Sequence, residues 1–170
     1  MCRYDVALEV NTFGVLNMLD FAKKCLKLEM IVNVSTAYVC GERAGLILED
    51  SSSMEEMAKK PSKYDLKLQE KKLVEDKLKE LKALNASEED ITSAMKNLGT
   101  ARAKLYGWPS TYALTKVKGE MYLGHAKGNL SIAVVRPTMI TSTYKEPFSG
   151  WIEGFRVLSM KLASPHYIIF

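Results

Sequence analysis

The chain has 170 residues, 47% of them hydrophobic, which suits one domain with a core of its own. Its formal charge of +4 comes from Lys dispersed among Glu, without an Arg cluster or a basic stripe interleaved with aromatics; this argues against a nucleic-acid partner and does not oppose an anionic small molecule. No apolar run nears the roughly 20 residues of a membrane span, no signal peptide opens the chain, and Cys2, Cys25 and Cys40 lack metal-ligand spacing, so free thiols and no metal site are expected.

From about Val6 to Leu26, apolar residues recur at helical spacing (Val10, Phe13, Leu16, Leu19, Phe21), which predicts a helix packed on a sheet, with Lys23 and Lys24 complementing its dipole. Asn11 stands inside this helix, and the pattern alone would leave its side chain in water. Met30 to Val34 predicts a short buried strand ending in Ser35 and Thr36. In an open parallel sheet, ligands meet the chain just beyond the carboxyl ends of strands, so these hydroxyls are candidates for chemistry, although the same residue types also form turns.

Residues 41–62, rich in Gly, Ser and charge and closed by Pro61, predict a surface loop. Between Tyr64 and Leu84, the stripe Leu66, Leu73, Leu78 and Leu81 predicts an amphipathic helix whose Lys and Glu form ion pairs on a solvated face. Ser87, followed by Glu88-Glu89-Asp90, opens a second helix that runs to about Leu105. The two are expected to pack mainly on each other.

Pro109 is expected in the first turn of the next helix, which runs to about Ala126 before Gly128-Asn129 ends it; His125 is expected on its surface near the dipole. Tyr112 and Lys116, four residues apart, share one face of that helix. A phenol is a weak acid near neutrality and an adjacent ammonium favours its ionised form, so the pair forms a proton donor with its own activator; the spacing alone equally fits an exposed helical pair. Ser131 to Val135 predicts a second buried strand, broken by Arg136-Pro137-Thr138.

Strand, hydroxyls, helix with Tyr-x-x-x-Lys, strand and Arg-Pro, in that order, resemble the extended short-chain dehydrogenase/reductases. Closer words are Asn11-Thr12-Phe13-Gly14, Val34-Ser35-Thr36-Ala37-Tyr38-Val39-Cys40-Gly41, Tyr106-Gly107-Trp108-Pro109 and Thr141-Ser142-Thr143-Tyr144-Lys145-Glu146-Pro147-Phe148-Ser149-Gly150-Trp151-Ile152-Glu153-Gly154. With these, residues 4–156 resemble the plant-type alcohol-forming fatty acyl-CoA reductases. The resemblance implies an incomplete Rossmann-type α/β fold over residues 1–156, with 62–105 as a helical insertion and 157–170 as a divergent tail. It also implies reduction of a long-chain fatty acyl-CoA to a primary alcohol by NADPH, inside the cell, in the cytoplasm or on the cytosolic face of the endoplasmic reticulum, with a plastid and peripheral membrane contact left open.

The same resemblance gives the residues their roles. Thr36 and Tyr112 bind the substrate carbonyl, with Tyr112 as proton donor and Ser35 as the neighbour of Thr36. Lys116 binds nicotinamide ribose, Asn11 supports the site, and the backbone after Pro137, at Thr138, Met139 and Ile140, meets the nicotinamide. The chain departs from the family in having no Gly-rich phosphate-binding turn and no C-terminal helical domain, so it reads as a fragment from which little activity is expected. Two other readings stay open: a sugar-nucleotide epimerase or dehydratase, and a non-catalytic interaction protein derived from a truncated reductase.

Overall fold

The computed structural model describes residues 2–42, 45–47, 65–140 and 142–151, apart from the side chains of 65–68. Outside the described residues lie most of the expected loop 41–62 (43–44 and 48–62), residues 63–64, the side chain of Leu66, Thr141, the word Ile152-Glu153-Gly154 and the tail 157–170. The chain divides after Arg136 into two compact units.

The first unit opens with a continuous helical rod: α1 (Tyr4–Leu8), a π-helical turn (Glu9–Phe13) and α2 (Gly14–Ala22). After it come β1 (Ile31–Val34), a 3-10 turn (Ala37–Cys40), α3 (Asp65–Ala83), α4 (Glu88–Leu105), α5 (Thr111–Ala126) and β2 (Ile132–Val135). The two β-branched runs pair in parallel, with Ile31 opposite Ile132 and Val34 opposite Val135. Main-chain bonds from Ile31 N–H to the Ser131 carbonyl (2.9 Å) and from Ser35 N–H to the Val135 carbonyl (2.7 Å) extend the ladder. Both carboxyl ends are therefore level, as an α/β site requires. Among the described residues β1 has no partner on its other edge, and Val32 and Val34 are exposed.

The first helix departs from its pattern. It ends at Ala22 rather than near Leu26, and Val10 and Phe21, expected inside, are exposed, whereas Tyr4, Ala7, Leu8, Thr12, Leu19 and Ala22 are buried. A π turn holds more residues than an α turn, so a 3.6-residue period carried through it assigns the wrong face.

Helices α3 and α4 also differ from expectation, because they do not pack mainly on each other. Tyr4, Leu8, Val74, Ile91, Met95, Ala103 and Leu114 form one cluster, with Leu78 and Leu81 packed against it, so both helices share a core with α1 and α5. On α4 the inward stripe is Ile91, Met95, Gly99 and Ala103, and Ser87 with Asp90 makes a reciprocal capping box. Among the described side chains of α3, ion pairs such as Lys77–Glu80 at 2.8 Å lie on the surface, whereas Glu70 is buried.

The passage from α4 to α5 is short and fully bonded. Gly107, with φ +75°, takes the left-handed position after α4, and bonds from Gly107 N–H to the Lys104 carbonyl (3.0 Å) and from Trp108 N–H to the Ala103 carbonyl (2.8 Å) close a Schellman motif. Ser110 then caps α5, its Oγ accepting from Ala113 N–H at 3.2 Å. Pro109 thus stands one residue before the cap rather than within the helix. In the second unit, Thr143 and Trp151 close a loop through Trp151 O (2.9 Å), and Thr143 O accepts from Gly150 N–H (3.0 Å).

Candidate active site

The first ten residues of helix α5 are mostly buried. Over Thr111–Glu120 eight residues are buried, and the two that are not are Tyr112 and Lys116. Tyr112 is 41% exposed, and the Lys116 ammonium lies 5.9 Å from its ring centroid. Lys116 Nζ also donates to the Val34 carbonyl at 3.4 Å, which brings the amine to the carboxyl end of β1. Ser35 and Thr36 follow at once, and α5 packs against the 3-10 turn that Thr36 opens.

The two hydroxyls are in different states. Thr36 Oγ1 is buried and accepts a long bond from Tyr38 N–H (3.4 Å), which occupies a lone pair and leaves its own O–H to donate elsewhere. Ser35 Oγ is buried with no hydrogen-bond partner among the described residues. Such a group carries a desolvation cost that a bound polar ligand would relieve.

The rod α1–α2 supports α5 beside the Tyr112 turn. Asn11 Nδ2 donates to Thr115 Oγ1 (3.1 Å), Thr115 Oγ1 donates to the Tyr112 carbonyl (3.1 Å), and Thr12 Oγ1 donates to the Thr115 carbonyl (2.8 Å). Asn11 is thus tied to the Tyr112 turn rather than left in water. The Asn11 carbonyl comes so close to Gly119 that a Cβ there would overlap it. At the far end, Arg136 grips buried Glu120 in a fork, with Nη2–Oε2 at 2.8 Å and Nε at 3.2 Å from both oxygens, fixing the end of β2 to α5.

Asn11, Ser35, Thr36, Tyr112 and Lys116 therefore all belong to the elements meeting at α5 and the end of β1. Pro137, Thr138, Met139 and Ile140 open the second unit in irregular backbone, with Thr138 and Ile140 exposed. Sequence reasoning missed Thr115, Gly119 and Glu120. Their signal was the unusual density of small and polar residues on the helix that carries Tyr112 and Lys116.

Residues 1–166 match the model of the NAD-binding family described as Male sterility protein. The chain belongs to this family. Its fold is accordingly that of an NAD-binding, Rossmann-type α/β domain, and a nicotinamide dinucleotide is the cofactor class that goes with it. The chain is 56% identical over 157 residues to the probable fatty acyl-CoA reductase 5 of Arabidopsis thaliana, covering 92% of this chain and 32% of that protein. It is 52% identical over 156 residues to the alcohol-forming fatty acyl-CoA reductase of Simmondsia chinensis, covering 92% and 31%. It is 44% identical over 161 residues to the chloroplastic fatty acyl-CoA reductase 2 of Arabidopsis thaliana, covering 92% and 26%. The chain spans about a third of the length of the first two of these relatives and about a quarter of the third. Among the described residues no helix is long and apolar enough to cross a membrane.

Proposed function

We propose that this chain carries the Tyr-Lys side of the active site of an alcohol-forming fatty acyl-CoA reductase. That enzyme uses NADPH to take a long-chain acyl-CoA through the aldehyde to a primary alcohol, in the cytoplasm, on the cytosolic face of the endoplasmic reticulum or in a plastid. Residues 1–156 belong to its reductase domain, with 62–105 inserted. The observation that carries this reading is the first part of α5, in which every residue of Thr111–Glu120 but Tyr112 and Lys116 is buried, with Lys116 held at the carboxyl end of β1.

NADPH, when bound, supplies hydride. The chain's own groups do the rest. Thr36, its acceptor side taken by Tyr38 N–H, directs its O–H at the carbonyl oxygen, and Tyr112 hydrogen-bonds the same oxygen and gives it a proton as negative charge builds there. Lys116 stabilises the charge left on Tyr112 and binds ribose hydroxyls through the N–H groups not used by Val34. Ser35 completes the nicotinamide contacts that the first unit offers, and Asn11, through Thr115, keeps the Tyr112 turn in place. The relatives' printed names, fatty acyl-CoA reductase among them, support the substrate class.

The test is alcohol formation by the full-length protein from long-chain acyl-CoA, with NADPH and NADH compared. Tyr112→Phe is expected to lower the rate by about 10²–10⁴-fold while leaving NADPH binding intact. Turnover of a sugar nucleotide instead, or full activity in Tyr112→Phe, would overturn the reading. The 170 residues contain no Gly-x-Gly-x-x-Gly turn, so expressed alone they are expected to bind NADPH weakly, each absent charge-assisted phosphate bond costing roughly 1.5–3 kcal/mol.

A further inference from the structure

The largest charge cluster away from Tyr112 lies on the back of the same helix. Glu70, on α3, is 2% exposed. Its Oε1 accepts from Arg102 Nη2 (2.5 Å), Lys118 Nζ (2.7 Å) and the Tyr106 hydroxyl (3.1 Å), and its Oε2 from the Tyr4 hydroxyl (2.8 Å) and Arg102 Nε (3.3 Å). The donors come from α1, α4, the turn that follows α4, and α5. Lys118 and Arg102 also lie over the Tyr106 ring, 4.6 and 4.9 Å from its centroid. One carboxylate thus fastens α3 to the three helical elements of the core, and every oxygen lone pair it offers is used.

Lys118 follows Lys116 by two residues, about 200° round the helix, so the cluster holds the back of α5 while Tyr112 and Lys116 occupy its front. Rotation about the helix axis is the motion this arrangement resists. A turn of about 20° moves a group some 5–6 Å from the axis by about 2 Å, whereas catalytic groups must be held within about 0.5 Å, and a misplacement of 1 Å can cost about 10²-fold in rate.

We propose that Glu70 is a positioning residue for the reaction at Tyr112 and Lys116, acting through Lys118 to fix the rotation of α5. The helical segment between β1 and β2 is then part of the support of the active site. This rests on the reductase reading above.

The test uses the full-length protein with Lys118→Met, which leaves Glu70 paired with Arg102, and Lys118→Arg, which keeps a cation on Glu70. Lys118→Met is expected to keep its melting temperature within a few degrees and its KM for acyl-CoA within about twofold, while kcat falls about 10–100-fold. Lys118→Arg is expected to recover most of kcat. A folded Lys118→Met with wild-type kcat overturns the proposal, as does a kcat that merely tracks melting temperature across the variants. If Lys118→Met does not fold, the double variant Glu70→Gln/Lys118→Met, which removes both charges, is judged by the same criteria. Hydrogen exchange separates this proposal from the reductase reading. If the wild type forms no alcohol, that reading fails, and the positioning role then stands or falls on amides 111–120, which are expected to exchange faster in the folded variant; unchanged exchange there overturns it.

Discussion

Two glycines on one helix should respond to the same substitution with opposite signs. Gly119 and Gly124 both lie in α5, and Ala exceeds Gly in helix propensity by about 0.8–1 kcal/mol. At Gly124, an exposed position, an added Cβ meets nothing within 4 Å, so Gly124→Ala is expected to stabilise by about 0.5–1 kcal/mol. At Gly119 it would overlap the Asn11 carbonyl oxygen and stand 3.3 Å from Val15 Cγ2. Val15 can rotate aside, but a carbonyl inside the π turn moves only with its backbone. Overpacking of this kind costs about 1–3 kcal/mol or more, and here the upper part of that range applies, so Gly119→Ala is expected to destabilise by about 2 kcal/mol net of propensity. Urea unfolding followed by circular dichroism, with m-values compared, measures both variants. If Gly119→Ala proves as stable as the wild type or more so, the π turn does not lie against α5 and the support assigned to Asn11 falls with it.

Two further outcomes follow from the charges and caps. Burial pushes the Glu70 carboxyl up, but Arg102 and Lys118 outweigh it and hold the group down at about 2. Its stabilisation is therefore complete above the ordinary pKa of 4.5 and is lost as pH falls from there towards 2, amounting to about 3 kcal/mol. Melting temperatures between pH 7 and pH 3 should fall more steeply for the wild type than for Glu70→Gln, and parallel curves would refute the assignment. Ser87 Oγ accepts from Asp90 N–H at 3.1 Å, so Ser87→Ala should cost about 1 kcal/mol and Ser87→Gly only a few tenths; equal stability of all three in urea would show that the cap contributes nothing.

The elements that sequence reveals best are those whose signal is local. The β-branched runs ending at Val34 and Val135 marked both strands, Ser87 with Asp90 marked the start of α4, and the Tyr112–Lys116 spacing marked the exposed face of α5. What escaped depends on partners far along the chain. Glu70 is one acidic residue among many on a Lys/Glu-rich helix, and only Arg102 and Lys118, 32 and 48 residues away, make its burial tolerable. Gly119 matters because of the Asn11 carbonyl, and no residue type announces the π turn that puts it there. Tyr112 and Lys116 could be paired from spacing, but that the rest of their turn is buried required the fold.

The outer edge of β1 governs how this chain behaves in solution. It offers unpaired backbone groups among the described residues, flanked by Val32 and Val34 at 59% and 60% exposure, with no Lys, Pro or bulge in the strand to discourage another strand from adding there. At high concentration the isolated 170-residue chain is therefore prone to edge-to-edge association, which strengthens with added sulfate as apolar burial becomes more favourable. Replacing Val32 by Lys, at an exposed position of the strand, places a charge where a second strand would dock, and should keep the chain monomeric.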